Sequence, residues 1–237
     1  MSHIVKSYDA EFTELDRLVA QMGGLAEKLL ADGFAALDRR DPKLAERAIA
    51  SDHAIDQLEH QVQDRAITMI AKRQPMANDL RHIMTVLKIT GDLERIGDLS
   101  KNIAKRALAV SGESRPRPLM NGLGHMTELA HRQLKDALDA FAARDDAKAL
   151  AVWRGDAALD ALYNSVFREL LTYMMEDPRN IGVCTHLLFG AKNLERIGDH
   201  TTNIAENIHF LVTGSVLTDD RPKGDDSSTV LITQPGA

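Results

Sequence analysis

The chain has 237 residues, of which 44% are hydrophobic and 4% aromatic, with a formal net charge of −6. That length allows one large domain or two ordinary ones, and an acidic chain with no basic stripe is excluded from nonspecific nucleic-acid binding. Cys184 is the only cysteine, which excludes an intrachain disulfide and a cysteine-based zinc site.

The opening "MSHIVKSYDAEF" lacks the basic-then-apolar order of a signal peptide. No apolar run approaches the ~20 residues that cross a bilayer, so the expectation is a soluble cytoplasmic protein with no transmembrane segment. Ala, Leu and charged residues dominate and favour helices. No segment alternates as a strand does.

The first helix is expected near 8–39. "RRDP" at 39–42 closes it and opens the next, with Asp41 as N-cap and Pro42 at the first helical position. The second helix then runs to residue 73. Gln74-Pro75 repeats the start signal for a third helix near 76–111. "SGESRPRP" at 111–118, with two prolines and a Gly-Ser mixture, reads as a linker. Helices near 119–143, 146–176 and 178–213 follow, the last opened by Asp177-Pro178. From Gly214 the helical period is lost and the chain reads as a disordered tail. The expected fold is all-α: two tandem homologous three-helix bundles, 1–113 and 114–213, with the tail at 214–237.

The homology between the halves is visible directly. "LERIGDLSKNIA" begins at Leu93 and "LERIGDHTTNIA" at Leu194, with nine of twelve positions identical. Asp41 aligns with Asp145, "SDHAIDQL" with "GDAALDAL", Pro75 with Pro178 and Glu94 with Glu195. A period near 100 residues is too long for a solenoid repeat.

The repeated segment keeps two locally unfavourable choices. Glu94 and Asp98 stand four apart on one helix face, where like charges cost ~0.2–0.5 kcal/mol. Gly97 between them costs ~1 kcal/mol relative to Ala. Glu195, Gly198 and Asp199 repeat the pattern. The preceding helix carries Asp52 and Asp56 in the first half, Asp156 and Asp160 in the second, again four apart. Asp52 and Asp56 lie 22 and 18 residues before Gln74, while Glu94 and Asp98 lie 20 and 24 after it. At ~1.5 Å per residue the pairs of such a hairpin share one level, and the second half gives the same result. Helical-wheel angles set Glu94 and Asp98 well away from the inward stripe of Ile89, Leu93, Ile96, Ser100 and Ile103. The acids are therefore expected to line a groove on the outside of each bundle. Clustered carboxylates suit Fe, Mn or Mg, with Asn102 and Asn203 as further amide donors and His200 as an additional ligand. Against this, Arg95 and Arg196 are able to neutralise such a stripe without any metal.

With these motifs, "LKITGDLERIGDLSKNIA", "NLERIGDHTTNIAENI", "QPMANDLRHI" and the paired DxxxD helices, the chain resembles the PhoU family over residues 5–213. The resemblance implies surface metal clusters (iron, zinc, manganese or magnesium) held by Asp52, Asp56, Glu94 and Asp98 in one half and Asp156, Asp160, Glu195 and Asp199 in the other. Asn193 stands where the first half has Asp92, so the two clusters need not be equivalent. The resemblance further implies a homodimeric regulator at the inner membrane face. Its partners there are the ATPase of the phosphate ABC transporter and the phosphate-sensor histidine kinase, and it represses the starvation regulon and restrains uptake when phosphate is plentiful. An adaptor of another ion transporter is the alternative within the family. A di-iron-type enzyme is the rival outside it, since Glu128-x-x-His131 and Glu206-x-x-His209 occur. These tetrads do not correspond between the halves, and no further Glu completes the set. The expectation is a protein that is not an enzyme. Trp153 and Phe141 are expected in the core.

Overall fold

The computed structural model describes residues 6–113 and 117–219. Among them all regular structure is helical: α1 (Lys6–Arg39), α2 (Pro42–Ser51), α3 (His53–Arg73), α4 (Asn78–Ala109), α5 (Arg117–Ala143), α6 (Asp146–Arg154), α7 (Asp156–Glu176) and α8 (Ile181–Thr213). A single 3₁₀ turn, Pro178–Asn180, precedes α8. The helices make six rods, three in each half. The parts of the linker and tail at 114–116 and 220–237 lie outside the described residues, while 214–219 form no helix.

The middle rod of each half, expected to be continuous, is interrupted at one residue. Asp52 separates α2 from α3, and Gly155 separates α6 from α7. Both residues keep right-handed helical dihedrals, φ −56° and ψ −38° at Asp52, φ −77° and ψ −8° at Gly155. The rods therefore bend without reversing. A glycine lowers helix propensity at its joint, and Gln133 Nε2 donates to the Gly155 carbonyl at 2.9 Å, serving the acceptor that the break exposes.

The start signals divide. Asp41 and Asp145 cap α2 and α6, each accepting a backbone N–H three residues on, from Leu44 and Lys148, at 3.0 Å. Asp177 caps the 3₁₀ turn through the Arg179 N–H at 3.0 Å. Gln74-Pro75 opens nothing. Gln74 instead closes α3 in the left-handed region (φ 49°), its N–H returning to the Ile70 carbonyl, and α4 begins at Asn78. A left-handed cap there serves the orphan carbonyls of α3, which the sequence pattern alone does not distinguish from a start.

Within the first half α1 packs on α2, α3 and α4, and α3 on α4; α5, α6, α7 and α8 repeat this arrangement. The expected inward stripe of α4 is buried throughout: Ile89, Leu93, Ile96, Ser100 and Ile103 are all within 1% of complete burial. Phe141 and Trp153 are buried as well. The halves meet along α4 and α8, and again along α1 and α5, so that one apolar cluster runs through both. α4 and α8 are antiparallel. Arg106, near the end of α4, lies over the ring of Phe189 near the start of α8 at 4.8 Å, while Arg81 near the start of α4 lies over Phe210 near the end of α8 at 5.5 Å. Midway, Asp92 Oδ1 meets His200 Nδ1 at 2.9 Å and accepts from Asn203 Nδ2 at 3.3 Å.

Candidate functional site

The seam between α3 and α4 carries the first four acids. Lys101, one turn beyond Asp98 on α4, extends its ammonium to both Asp52 and Asp98 and so ties the two helices together. Asp52 and Asp98 are therefore at one level, as the residue counts require. Glu94 joins the same field. Its carboxyl is raised above the ordinary value, first by burial and then by the charge of Asp98, with Glu59 and Asp56 adding to it against Arg95. Burial also works against charge on Asp98, but the hydrogen bond and charge of Lys101, helped by Arg95, outweigh it and hold that carboxyl below its usual range. Lys101 loses something to desolvation and gains more from its two carboxylates, so its ammonium is held well above the ordinary lysine value. Arg95, expected as a neutralising charge, stands 3.4 Å from Glu94 and 3.6 Å from Asp98. It is largely exposed and weakly binding there.

The corresponding seam of α7 and α8 carries Asp156, Asp160, Glu195 and Asp199. Thr202 occupies the position of Lys101, and its hydroxyl donates to Asp156 Oδ1 at 3.1 Å. A lysine appears at the other end of this set: Lys192 Nζ lies 3.0 Å from Glu195 Oε1, where the first half has Gly91.

One expectation is corrected. The acids do not line an open groove on the outer wall. Asp52, Asp156, Asp160 and Glu195 are buried to 4%, 2%, 4% and 6% exposure, and only Asp56, Glu94, Asp98 and Asp199 are partly open to solvent. The two glycines explain the difference. A Cβ on Gly97 would stand 2.9 Å from Ile55 Cδ1 and 3.2 Å from Asp52 Oδ1; one on Gly198 would stand 2.5 Å from Leu159 Cδ2. Their hydrogens let the neighbouring helix close over the acidic face. The wheel of a single helix measures the angle from its own core and is blind to that neighbour.

Other candidates are engaged elsewhere. His200 turns to Asp92 across the α4–α8 seam, not to Asp199, and Asn203 donates to the same oxygen. Glu206 accepts from Trp153 Nε1 at 3.0 Å and His209 pairs with Asp146 at 2.7 Å, so the second Glu-x-x-His tetrad is engaged in separate contacts. Among the described residues no group of three or more His, Cys, Asp or Glu side chains is arranged to hold a metal ion as it stands. In the first half the place between Asp52 and Asp98 is taken by an ammonium. That stand-in cation, and the cradle left by Gly97, show a carboxylate set whose chemistry fits a positive ion. Lys101, Thr202 and Lys192 went unremarked in the sequence, although Lys101 and Lys192 sit three residues from an acid of the motif, the spacing of helix neighbours.

Fold and site together define a tandem-repeat helical-bundle protein with two matched acidic seams. The PhoU domain model matches residues 19–107 and again 123–208, and the chain belongs to the PhoU family. It is 53% identical over 229 residues to the phosphate-specific transport system accessory protein PhoU homolog of Rhizobium meliloti (strain 1021), covering 97% of each chain. To the homolog of Caulobacter vibrioides (strain NA1000 / CB15N) it is 52% identical over 223 residues, 94% of this chain and 97% of the relative. The crystal structure of PhoU from Pseudomonas aeruginosa superposes with a TM-score of 0.84 at 38% identity, covering 88% of this chain and 100% of that one. The phosphate transport system regulatory protein PhoU from Streptococcus pneumoniae gives 0.82 at 29% identity, covering 89% and 99%. The Rhizobium and Caulobacter relatives are named as accessory proteins and the Streptococcus structure as a regulatory protein. No described helix is long and apolar enough to cross a membrane.

Proposed function

We propose that the chain is a cytoplasmic, metal-binding regulator of phosphate homeostasis that acts beside a phosphate ABC transporter. In this reading it contacts the transporter's ATPase subunit and the phosphate-sensor histidine kinase at the inner membrane face, as a homodimer. It keeps the starvation regulon off and restrains uptake when phosphate is plentiful. The observation that carries the reading is full-length similarity to proteins named for the phosphate-specific transport system, with 97% of both chains covered. Paired long helices with broad outer faces suit recognition by other helices.

Asp52, Asp56, Glu94 and Asp98 would hold one cation or cluster, and Asp156, Asp160, Glu195 and Asp199 another. Carboxylate oxygens at that density select hard or borderline ions such as Fe, Mn, Mg or Zn. A bound cation supplies charge neutralisation. The protein's own contribution is to bring α3 against α4, and α7 against α8, at the glycines, so that oxygens from two helices meet.

Co-purification from membranes tests the partners: recovery of the transporter ATPase and the kinase is expected. Recovery of a different ion carrier instead would move the chain to an adaptor role, and a strain lacking the protein that still represses starvation genes in rich phosphate would refute the regulatory reading. For the metal, Mn²⁺ at about 100 times its Kd should stabilise the fold by ~2.7 kcal/mol. No shift with any of the four ions would remove the cofactor from the proposal. Light scattering at micromolar concentration is expected to give the mass of two chains.

A further inference from the structure

The two acidic seams differ at one position that faces both helices. On α4, Lys101 carries a side chain 21% exposed whose ammonium is ion-paired with Asp52 at the start of α3, its side chain 5% exposed, and with Asp98. On α8 the aligned residue is Thr202, a neutral hydroxyl on Asp156. In the second seam the lysine stands instead at the Glu195 end. An ammonium and a divalent cation compete for the same oxygens. Two carboxylates already paired by hydrogen-bonded contact release that partner only at a cost, because the buried Asp52 would otherwise be left charged in a desolvated seam. The missing Cβ of Gly97, which would crowd Asp52 Oδ1 at 3.2 Å, lets Asp52 lie close against α4.

We propose that Lys101 is the built-in cation of the first seam: its ammonium occupies the position between Asp52 and Asp98 that a divalent ion would take, and it sets the affinity of that seam. The inference rests on the metal-binding reading above and specifies how one site departs from the other. A divalent ion enters the first seam only by displacing Lys101 toward solvent. Without such an ion, Lys101 keeps α3 and α4 closed. The first half is therefore held shut with or without metal, whereas in the second seam the ammonium stands at the other end, where Lys192 meets Glu195.

The test uses the full chain, stripped with chelator, with Mn²⁺ as probe. Lys101→Thr copies the second half into the first, and Thr202→Lys does the reverse. Calorimetric titration is expected to show Mn²⁺ binding at least about tenfold tighter, or one additional ion bound, in Lys101→Thr. Thr202→Lys should bind at least about tenfold more weakly at one site. In chelator Lys101→Thr should melt below wild type, and Mn²⁺ should close the gap. Lys101→Met keeps the packing of the stem while removing the charge, so the same recovery by Mn²⁺ separates a lost cation from lost packing. Mn²⁺ affinity and melting that match wild type in both Lys101 variants, with and without Mn²⁺, would overturn the inference. If wild type binds no Mn²⁺ at either seam, the metal reading of the native protein fails by itself. Recovery of Lys101→Thr by Mn²⁺ would still uphold the ammonium as a cation stand-in, and its absence would refute it.

Discussion

If Gly198 is present to let α7 close on α8, then alanine there must behave unlike alanine at an uncrowded glycine of the same helix. Gly190 supplies the comparison, since nothing lies within 4 Å of a Cβ built on it. Glycine to alanine in a helix interior gains ~1 kcal/mol through propensity, so Gly190→Ala should stabilise by about that much. At Gly198 the new methyl would fall 2.5 Å from Leu159 Cδ2, and Leu159 is completely buried, so its methyl has to move into packed neighbours. Overpacking of this kind costs ~1–3 kcal/mol. Set against the propensity gain, Gly198→Ala should be ~0–2 kcal/mol less stable than wild type, leaving the two variants ~1–3 kcal/mol apart. Urea unfolding followed by circular dichroism, with equal slopes for the variants, measures the difference. Equal stability of Gly198→Ala and Gly190→Ala would refute the close-approach account, and the explanation of the buried acids would fall with it.

Three further outcomes are expected. Asp41→Ala loses the cap on the Leu44 N–H and should cost ~0.5–2 kcal/mol, with Asp145→Ala costing a similar amount by repeat equivalence; urea midpoints check both. Asp92→Ala strips His200 and Asn203 of their acceptor across the α4–α8 seam and should cost ~1–3 kcal/mol, measured in the same way. Glu11 is held below the ordinary carboxyl range chiefly by its hydrogen bond from Arg73. The α1–α3 tie is thus fully present above the ordinary value and is lost as pH falls through the lowered one. Both partners are about one-third exposed, so Glu11→Gln should cost only ~0.2–1 kcal/mol at neutral pH. That difference should vanish in acid, as a series of melts against pH would show.

The rods, the duplication and the shared level of the acids were legible because each depends on spacing along one chain. Asp41 and Asp145 were readable as caps since a cap is local chemistry. Gln74-Pro75 misled because a left-handed closing residue and a helix start carry the same Pro punctuation, and only the Ile70 carbonyl that Gln74 serves decides between them. The breaks at Asp52 and Gly155 lay inside an unbroken apolar rhythm, which helical dihedrals at both joints preserve. Burial of Asp156, Asp160 and Glu195 depends on how near α7 and α8 approach. The sequence recorded that only as an unexplained glycine. Asp92 was noted merely as a mismatch with Asn193, since its partners lie more than 100 residues away in the chain.

The joints in the middle rods fall beside the acids: Asp52 is the joint of the first, and Asp156 directly follows Gly155 in the second. Each outer segment, 10 residues in α2 and 9 in α6, is roughly 15 Å long and ends at or directly beside a carboxylate. The bend of each middle rod and the placement of its first acid against the opposite helix are consequently set by the same joint.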